Sequence, residues 1–236
     1  MSASGRPVVL ALPFRGRWLA RNSPSRRVPS HGTDLMGGRF AIDFVAVDER
    51  RRTAHRRDVG TFLGTEPPSR FLAYGQPILA PADGTVVAVH DGEPDHEARR
   101  SQLALVGYML GQAGRLRRGP SALAGNHVVI ALADRPVFVV LAHLRAGSIR
   151  VAVGDSVRVG SQLGECGNSG NSTQPHVHVQ VMDGADPRVA HGVPLVFDRF
   201  REWRRGARDP ELREAAVPRE EAVVEPVIGE AERRPR

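Results

Sequence analysis

The 236-residue chain contains no lysine: all 33 basic side chains are arginine, against 26 acidic ones, for a formal charge of +7. A coding bias rich in G and C accounts for that usage without invoking function. Basic charge favours polyanions. The arginines, however, are spread along the chain and no nucleic-acid module is recognisable, so nucleic acid is not expected as a partner. Aromatics are equally scarce, at 5% of residues, which argues against a stacking platform for single strands. Cys166 is the only cysteine, excluding an internal disulfide and any all-cysteine zinc site. Between Glu165 and Gly167 it reads as a small core residue at a strand end rather than a nucleophile. No apolar run approaches membrane-spanning length. The run Pro7–Pro13 is too short and too closely bounded by proline for a signal-peptide core, so a soluble chain without a visible export signal is expected.

What is present is a succession of short β-type segments. Residues 39–48 form an apolar run with one acid, Asp43, inside it. An ionised carboxylate there is costly unless paired or bound to metal, which makes Asp43 a candidate ligand. Residues 74–89 have the rhythm of strand, Asp-Gly turn and strand. Further strands are expected at 126–132, 136–143, 149–151, 156–157, 162–165 and 176–182. Many short strands with glycine turns predict an all-β antiparallel core. Two segments break the rhythm. Residues 96–118 read as a short helical insertion, packed or covering a cleft. From about residue 204 to 236 the composition turns charged, predicting a flexible tail with one helix near Asp209–Ala216, after a domain spanning 1–203.

The most informative stretch is Pro175-His176-Val177-His178-Val179. On a strand, residues two apart share a face, so His176 and His178 can project into one cleft. Neutral imidazole is a common zinc ligand and also carries a proton near neutral pH, so the pair can supply one metal ligand and one catalytic group. Asn168, Ser169 and Asn171 shape the entering loop, and Gly167 and Gly170 permit its tight turns.

Residues 80–86 and 153–163 resemble the biotinyl/lipoyl carrier module, but that function needs a lysine at the hairpin tip and is excluded; the barrel-sandwich architecture remains. The fuller resemblance, over roughly residues 7–200, is to the lysostaphin/LytM-type zinc endopeptidases, β-sandwich enzymes that cut peptide bridges of bacterial cell wall. It is carried by Gly75–Val89, Gly125–Val129 and the block from Ala142-His143-Leu144 through Val179. The resemblance implies Asp43 and His178 as zinc ligands, with His143 and His176 catalytic beside the open coordination position. The family places a further histidine four residues before the aspartate. Arg39 stands there in this chain, and His31 is the nearest replacement, with Asp34 a weaker competitor whose ordinary reading is a turn or helix cap. His127 reads as a surface or packing residue, and His55, His90, His96 and His191 have no partner pattern.

The implied function is hydrolysis of a peptide bond by one Zn²⁺ ion, with peptidoglycan peptides as substrate. Action on cell wall would place the protein in the envelope or outside the cell; without it, the sequence reads as cytoplasmic. The alternative is a non-catalytic LytM-like domain that binds or activates a cell-wall hydrolase.

Overall fold

The computed structural model describes residues 6–55, 64–99 and 120–227. Its strands are β1 (Val8–Leu10), β2 (Trp18–Arg21), β3 (Ile42–Ala46), β4 (Pro77–Leu79), β5 (Gly84–His90), β6 (Asn126–Leu132) and β7 (Phe138–Leu144). They continue with β8 (Ser156–Val157), β9 (Gln162–Glu165), β10 (Val177–Met182), β11 (Leu195–Trp203), β12 (Glu211–Ala216) and β13 (Val223–Pro226). One short helix, α1 (Pro120–Ala124), leads into β6.

The large sheet runs β1-β11-β13-β2-β3-β10-β7-β6-β5-β8, with β12 on the free side of β11, while β4 and β9 form a separate ribbon. Among the described pairs only β1 with β11 is parallel. The fold is all-β and antiparallel in its centre, as expected from the sequence.

Period-2 alternation decides what each face of the sheet carries. On β10, Val177, Val179 and Val181 enter the main core with Ile42, Phe44, Val139, Leu141, Val128 and Ile130 from neighbouring strands. Ile78 and Leu163 from the β4–β9 ribbon close the same core. Burying such side chains stabilises the fold by roughly 1.5–3 kcal/mol each. The opposite face carries His178, Gln180 and Met182, and a smaller apolar cluster of Val129, Val140, Ala142, Met182 and Ala190. A register slip of one residue on β10 would drive the histidine into the valine core, so the core itself fixes where His178 points.

Several expectations are corrected. The strand expected over 39–48 starts only at Ile42, because Leu35–Phe40 is a kinked 3-10 segment with Met36 and Gly37 at φ 57 and 70. Residues 149–151 are not a strand, although Arg150 N–H still donates to Leu163 O at 2.8 Å. Residues 96–99 are not helical, with Ala98 bridged to Glu66, and the rest of the expected insertion at 100–118 lies outside the described residues.

The largest difference is in the expected charged tail. Residues 209–216 hold strand β12 rather than a helix, and β13 inserts between β11 and β2 with Val223 and Val224 buried. The charges that suggested a solvated tail pair with one another. Glu202 on β11 is fully buried and accepts hydrogen bonds from Arg213 Nη1 (3.1 Å), from Arg219 N–H (2.8 Å) and from the Arg219 guanidinium. A buried carboxylate demands such partners, and here they tie the C-terminal segment to the sheet. Residues 228–236 lie outside the described part. Among the described residues no helix is long and apolar enough to cross a membrane.

Candidate active site

The strand β3 carries Asp43 between Ile42 and Phe44, both fully buried, so its side chain must emerge on the other face. There it stands directly opposite His178 in the β3–β10 ladder. Directly opposed residues place their Cβ atoms about 4.5–5.5 Å apart, and His178 Nδ1 meets Asp43 Oδ1 at 2.8 Å.

His31 reaches the same carboxylate by a loop. Ser30 N–H donates to Arg39 O at 3.0 Å, closing residues 30–39 on themselves. That bond returns His31 to the neighbourhood of residue 39, and His31 Nε2 lies 3.0 Å from Asp43 Oδ2. Arg39 instead holds Asp34 at 2.5 Å on the surface, and Asp34 makes no side-chain cap. Asp34 is therefore no competitor for the site.

The ligating atoms of His31, Asp43 and His178 lie within 4.8 Å of one another, and the three could hold a metal ion. Their chemistry fits zinc, which takes imidazole nitrogen and carboxylate oxygen at about 2.0–2.2 Å. The surroundings present these atoms. Gln180 Nε2 donates to Met36 O at 2.8 Å, which turns its Oε1 toward His178 Nε2–H at 2.9 Å and leaves Nδ1 facing Asp43. Asn22 Nδ2 donates to Asp43 Oδ2 at 2.7 Å. Partners of this kind fix the orientation of ligating side chains. Gln180 could have been found in the sequence, since it follows His178 by two on one strand. Asn22, distant in sequence, carries no such signal.

His143 and His176 stand beside this group, 7% and 8% exposed. His143, next to last in β7, has φ 62, a conformation that a non-glycine side chain rarely adopts and that requires support from its surroundings. Support comes from Gly167 N–H, which donates to His143 O at 2.9 Å, and from Ser169 O, which accepts His143 Nδ1–H at 2.9 Å. His176 Nδ1–H donates to Gln174 O at 2.8 Å, with Ser172 Oγ 3.0 Å away. In both rings the bond at Nδ1 leaves Nε2 as the unprotonated atom of the neutral imidazole. The rings lie 4.7 Å apart, and His176 Nε2 is 3.6 Å from Asp43 Oδ1.

Electrostatics separate the two groups. Burial would push the Asp43 carboxyl up, but His31, His176 and His178 outweigh it and hold it well below the usual carboxylate range. Burial would lower His178, yet the bond and charge of Asp43, with Gln180, raise it. His143 is pushed well below the ordinary imidazole value by burial and by the neighbouring His176 and His178, against the pull of Asp43. His176 is lowered chiefly by burial. The anion is thus concentrated at Asp43, with two neutral imidazoles next to it.

All five residues line one cleft of about 820 Å³. Its floor is apolar, from Val129, Val140, Ala142 and Met182, and Asp186 and Arg188 stand among its lining residues. His127, read from the sequence as packing, also lines it; Nδ1–H donates to Gly125 O at 2.7 Å, and burial lowers its pKa. His96, read as having no partner, donates Nε2–H to Gly170 O at 2.9 Å. His191 is exposed beside Asp183, and His90 stacks on His127 at 5.6 Å.

Among curated proteins no match is found. Solved structures similar to the chain include a variant of the catalytic domain of the prophage-encoded M23 protein EnpA of Enterococcus faecalis. It is 22% identical, covers 80% of this chain and 90% of its own, and has a TM-score of 0.37. The catalytic domain of lysostaphin from Staphylococcus simulans is 18% identical over 68% and 86% of the two chains, with a TM-score of 0.37. A zinc-containing peptidase from Vibrio cholerae is 17% identical over 64% and 48%, with a TM-score of 0.33. Peptidase family M23 matches residues 107–189. The resemblance to that family rests on the matched segment, which supplies His143, His176 and His178.

Proposed function

We propose that the chain is a zinc-dependent endopeptidase acting on peptidoglycan peptides, with His31, Asp43 and His178 as metal ligands and His143 and His176 as catalytic residues. The observation that carries this reading is the convergence of one buried carboxylate and four imidazoles in a single cleft. When bound, zinc supplies a Lewis acid and lowers the pKa of its water from about 15.7 towards about 7. The residues of the chain do the rest. Asp43 offers a carboxylate that stays ionised, and Gln180, by accepting the Nε2–H of His178, keeps its Nδ1 on the side of Asp43, where both would face one metal ion. His143 and His176 hold their Nδ1 protons on Ser169 O and Gln174 O, so Nε2 is the atom free to take a proton from the attacking water. As an imidazolium the same ring can return that proton to the leaving amine. Val129, Val140, Ala142 and Met182 form an apolar floor on which a peptide with small side chains can lie. That fits bonds next to Gly or D-Ala in cross-links.

The test is zinc per chain after dialysis against metal-free buffer, followed by release of free amines from purified peptidoglycan. About one zinc and amine release that chelator abolishes support the reading. No zinc uptake, even on adding the ion back, would point instead to a domain that binds a partner hydrolase.

A further inference from the structure

The segment 91–99, between β5 and the residues outside the described part, lies against the loop 167–172 that enters β10. Three donors converge on one half-buried carboxylate in it. Asp95 Oδ1 accepts Asn168 N–H at 2.5 Å, while Oδ2 accepts Ala146 N–H and Tyr74 O–H, each at 3.2 Å. Burial and this carboxylate push the Tyr74 phenol up, so its hydroxyl stays protonated to donate. The approach is close: a Cβ on Gly167 would stand 2.6 Å from Asp95 Oδ1. Next to it, Asn168 Nδ2 donates to His96 O at 2.6 Å, and Ser172 Oγ donates to Asn168 Oδ1 at 2.7 Å. From the other side Asn171 N–H donates to Leu123 O at 2.8 Å, and a Cβ on Gly170 would lie 2.7 Å from that oxygen.

This loop carries a group against Nδ1 of each of the two catalytic histidines and leads directly into Gln174, whose carbonyl accepts His176 Nδ1–H at 2.8 Å. Ser169 O takes the Nδ1 proton of His143, and Ser172 Oγ lies 3.0 Å from His176 Nδ1. Neither contact is made by a regular strand pair, so both depend on where the loop is held. We propose that Asp95 is a positioning residue for the reaction: its carboxylate anchors loop 167–172 and thereby sets the rings of His143 and His176. The inference rests on the reading of the cleft as a peptidase site. It assigns Asp95 no contact with substrate or metal, since the ligands His31, Asp43 and His178 are held by other contacts.

The experiment compares Asp95→Asn with the parent protein, using the full chain. In Asp95→Asn an amide N–H₂ must face one of the donors. Asp91→Asn serves as a control, because Asp91 accepts Gly147 N–H at 2.8 Å and Ile149 N–H at 3.3 Å, away from the loop. Three readouts are taken: affinity for zinc alone, the histidine ring nitrogens by ¹⁵N NMR in the zinc-free protein, and kcat and KM on a cell-wall peptide. The expected result is zinc affinity within about twofold of the parent, shifted or broadened Nδ1 signals for His143 and His176, and unchanged ones for His31 and His178. On the peptide, kcat falls about tenfold or more with KM nearly constant, since small displacements of catalytic groups cost rate rather than binding. Tyr74→Phe, which removes a single donor, should move the same signals less and serves if Asp95→Asn does not fold. Unchanged ring signals and kcat, or zinc affinity falling in step with kcat, would overturn the proposal. If the parent hydrolyses nothing, the peptidase reading fails, and the ring signals still decide whether Asp95 positions the histidines.

Discussion

Asp43 and His178 face each other across paired strands, whereas His143 and His176 stand at strand ends and take their orientation from loop carbonyls. In the first pair, orientation follows from the sheet. The residues on either side are core side chains, so turning Asp43 or His178 away would expose valine and phenylalanine to water. In the second pair, orientation depends on residues 167–174 and on a backbone at φ 62 that the surroundings must hold. His31 is intermediate: a loop residue, but in a loop closed by the Ser30–Arg39 bond and braced by the C-terminal segment. Glu220 accepts Ser23 N–H at 2.7 Å and Asn22 N–H at 3.3 Å, and Pro218 O accepts the Ser25 hydroxyl at 3.2 Å. The comparison teaches that the strand-held pair and the loop-held pair can be disturbed separately in this fold.

The largest expected effect is on the strand-built half. His178→Ala should abolish both zinc binding and hydrolysis, the latter by about 10³-fold or more, measured by metal analysis and peptide cleavage. Next, His143→Ala should leave zinc at the parental content while kcat falls about 10²–10⁴-fold. Parental cleavage in that variant would remove His143 from the reaction and erase the distinction between the halves. Gln180→Leu should weaken zinc binding about 10–100-fold by freeing the His178 ring, read by competition with a chelator. Glu220→Ala leaves Ser23 N–H without its acceptor and should destabilise the fold by about 1–3 kcal/mol in denaturant unfolding. Its zinc affinity should fall less than that of Gln180→Leu. The smallest effect concerns Cys166, fully buried, whose thiol is pushed well above its ordinary range by burial and by Asp95. It should resist alkylation at pH 8 in the folded protein and react once unfolded.

Much of the strand pattern was legible. Residues 126–132, 156–157 and 162–165 form strands at the bounds read from the sequence, because the glycines at 125, 154 and 160 mark the turn before each and leave only a short segment to extend. The C-terminal segment was not legible. Local composition there is charged, and what makes it sheet is long-range: pairing with β11 and β2, burial of Val223 and Val224, and the meeting of Arg213 and Arg219 with Glu202. The expected helix at 209–216 failed for the same reason: strand pairing with β11 overrides local helix preference.

The site divides along the same line. The sequence by itself determined that His176 and His178 are neighbours on one short segment and that Asp43 is an acid among core residues, since strand periodicity and the cost of a buried charge are local properties. Only the tertiary structure decided that His31 meets Asp43, that Asn22 orients the same carboxylate, and that Asp95 holds the loop behind His143 and His176. Each of those depends on a loop closing across the sheet, and loop closure is set by hydrogen bonds between residues far apart in the chain, which no local pattern encodes.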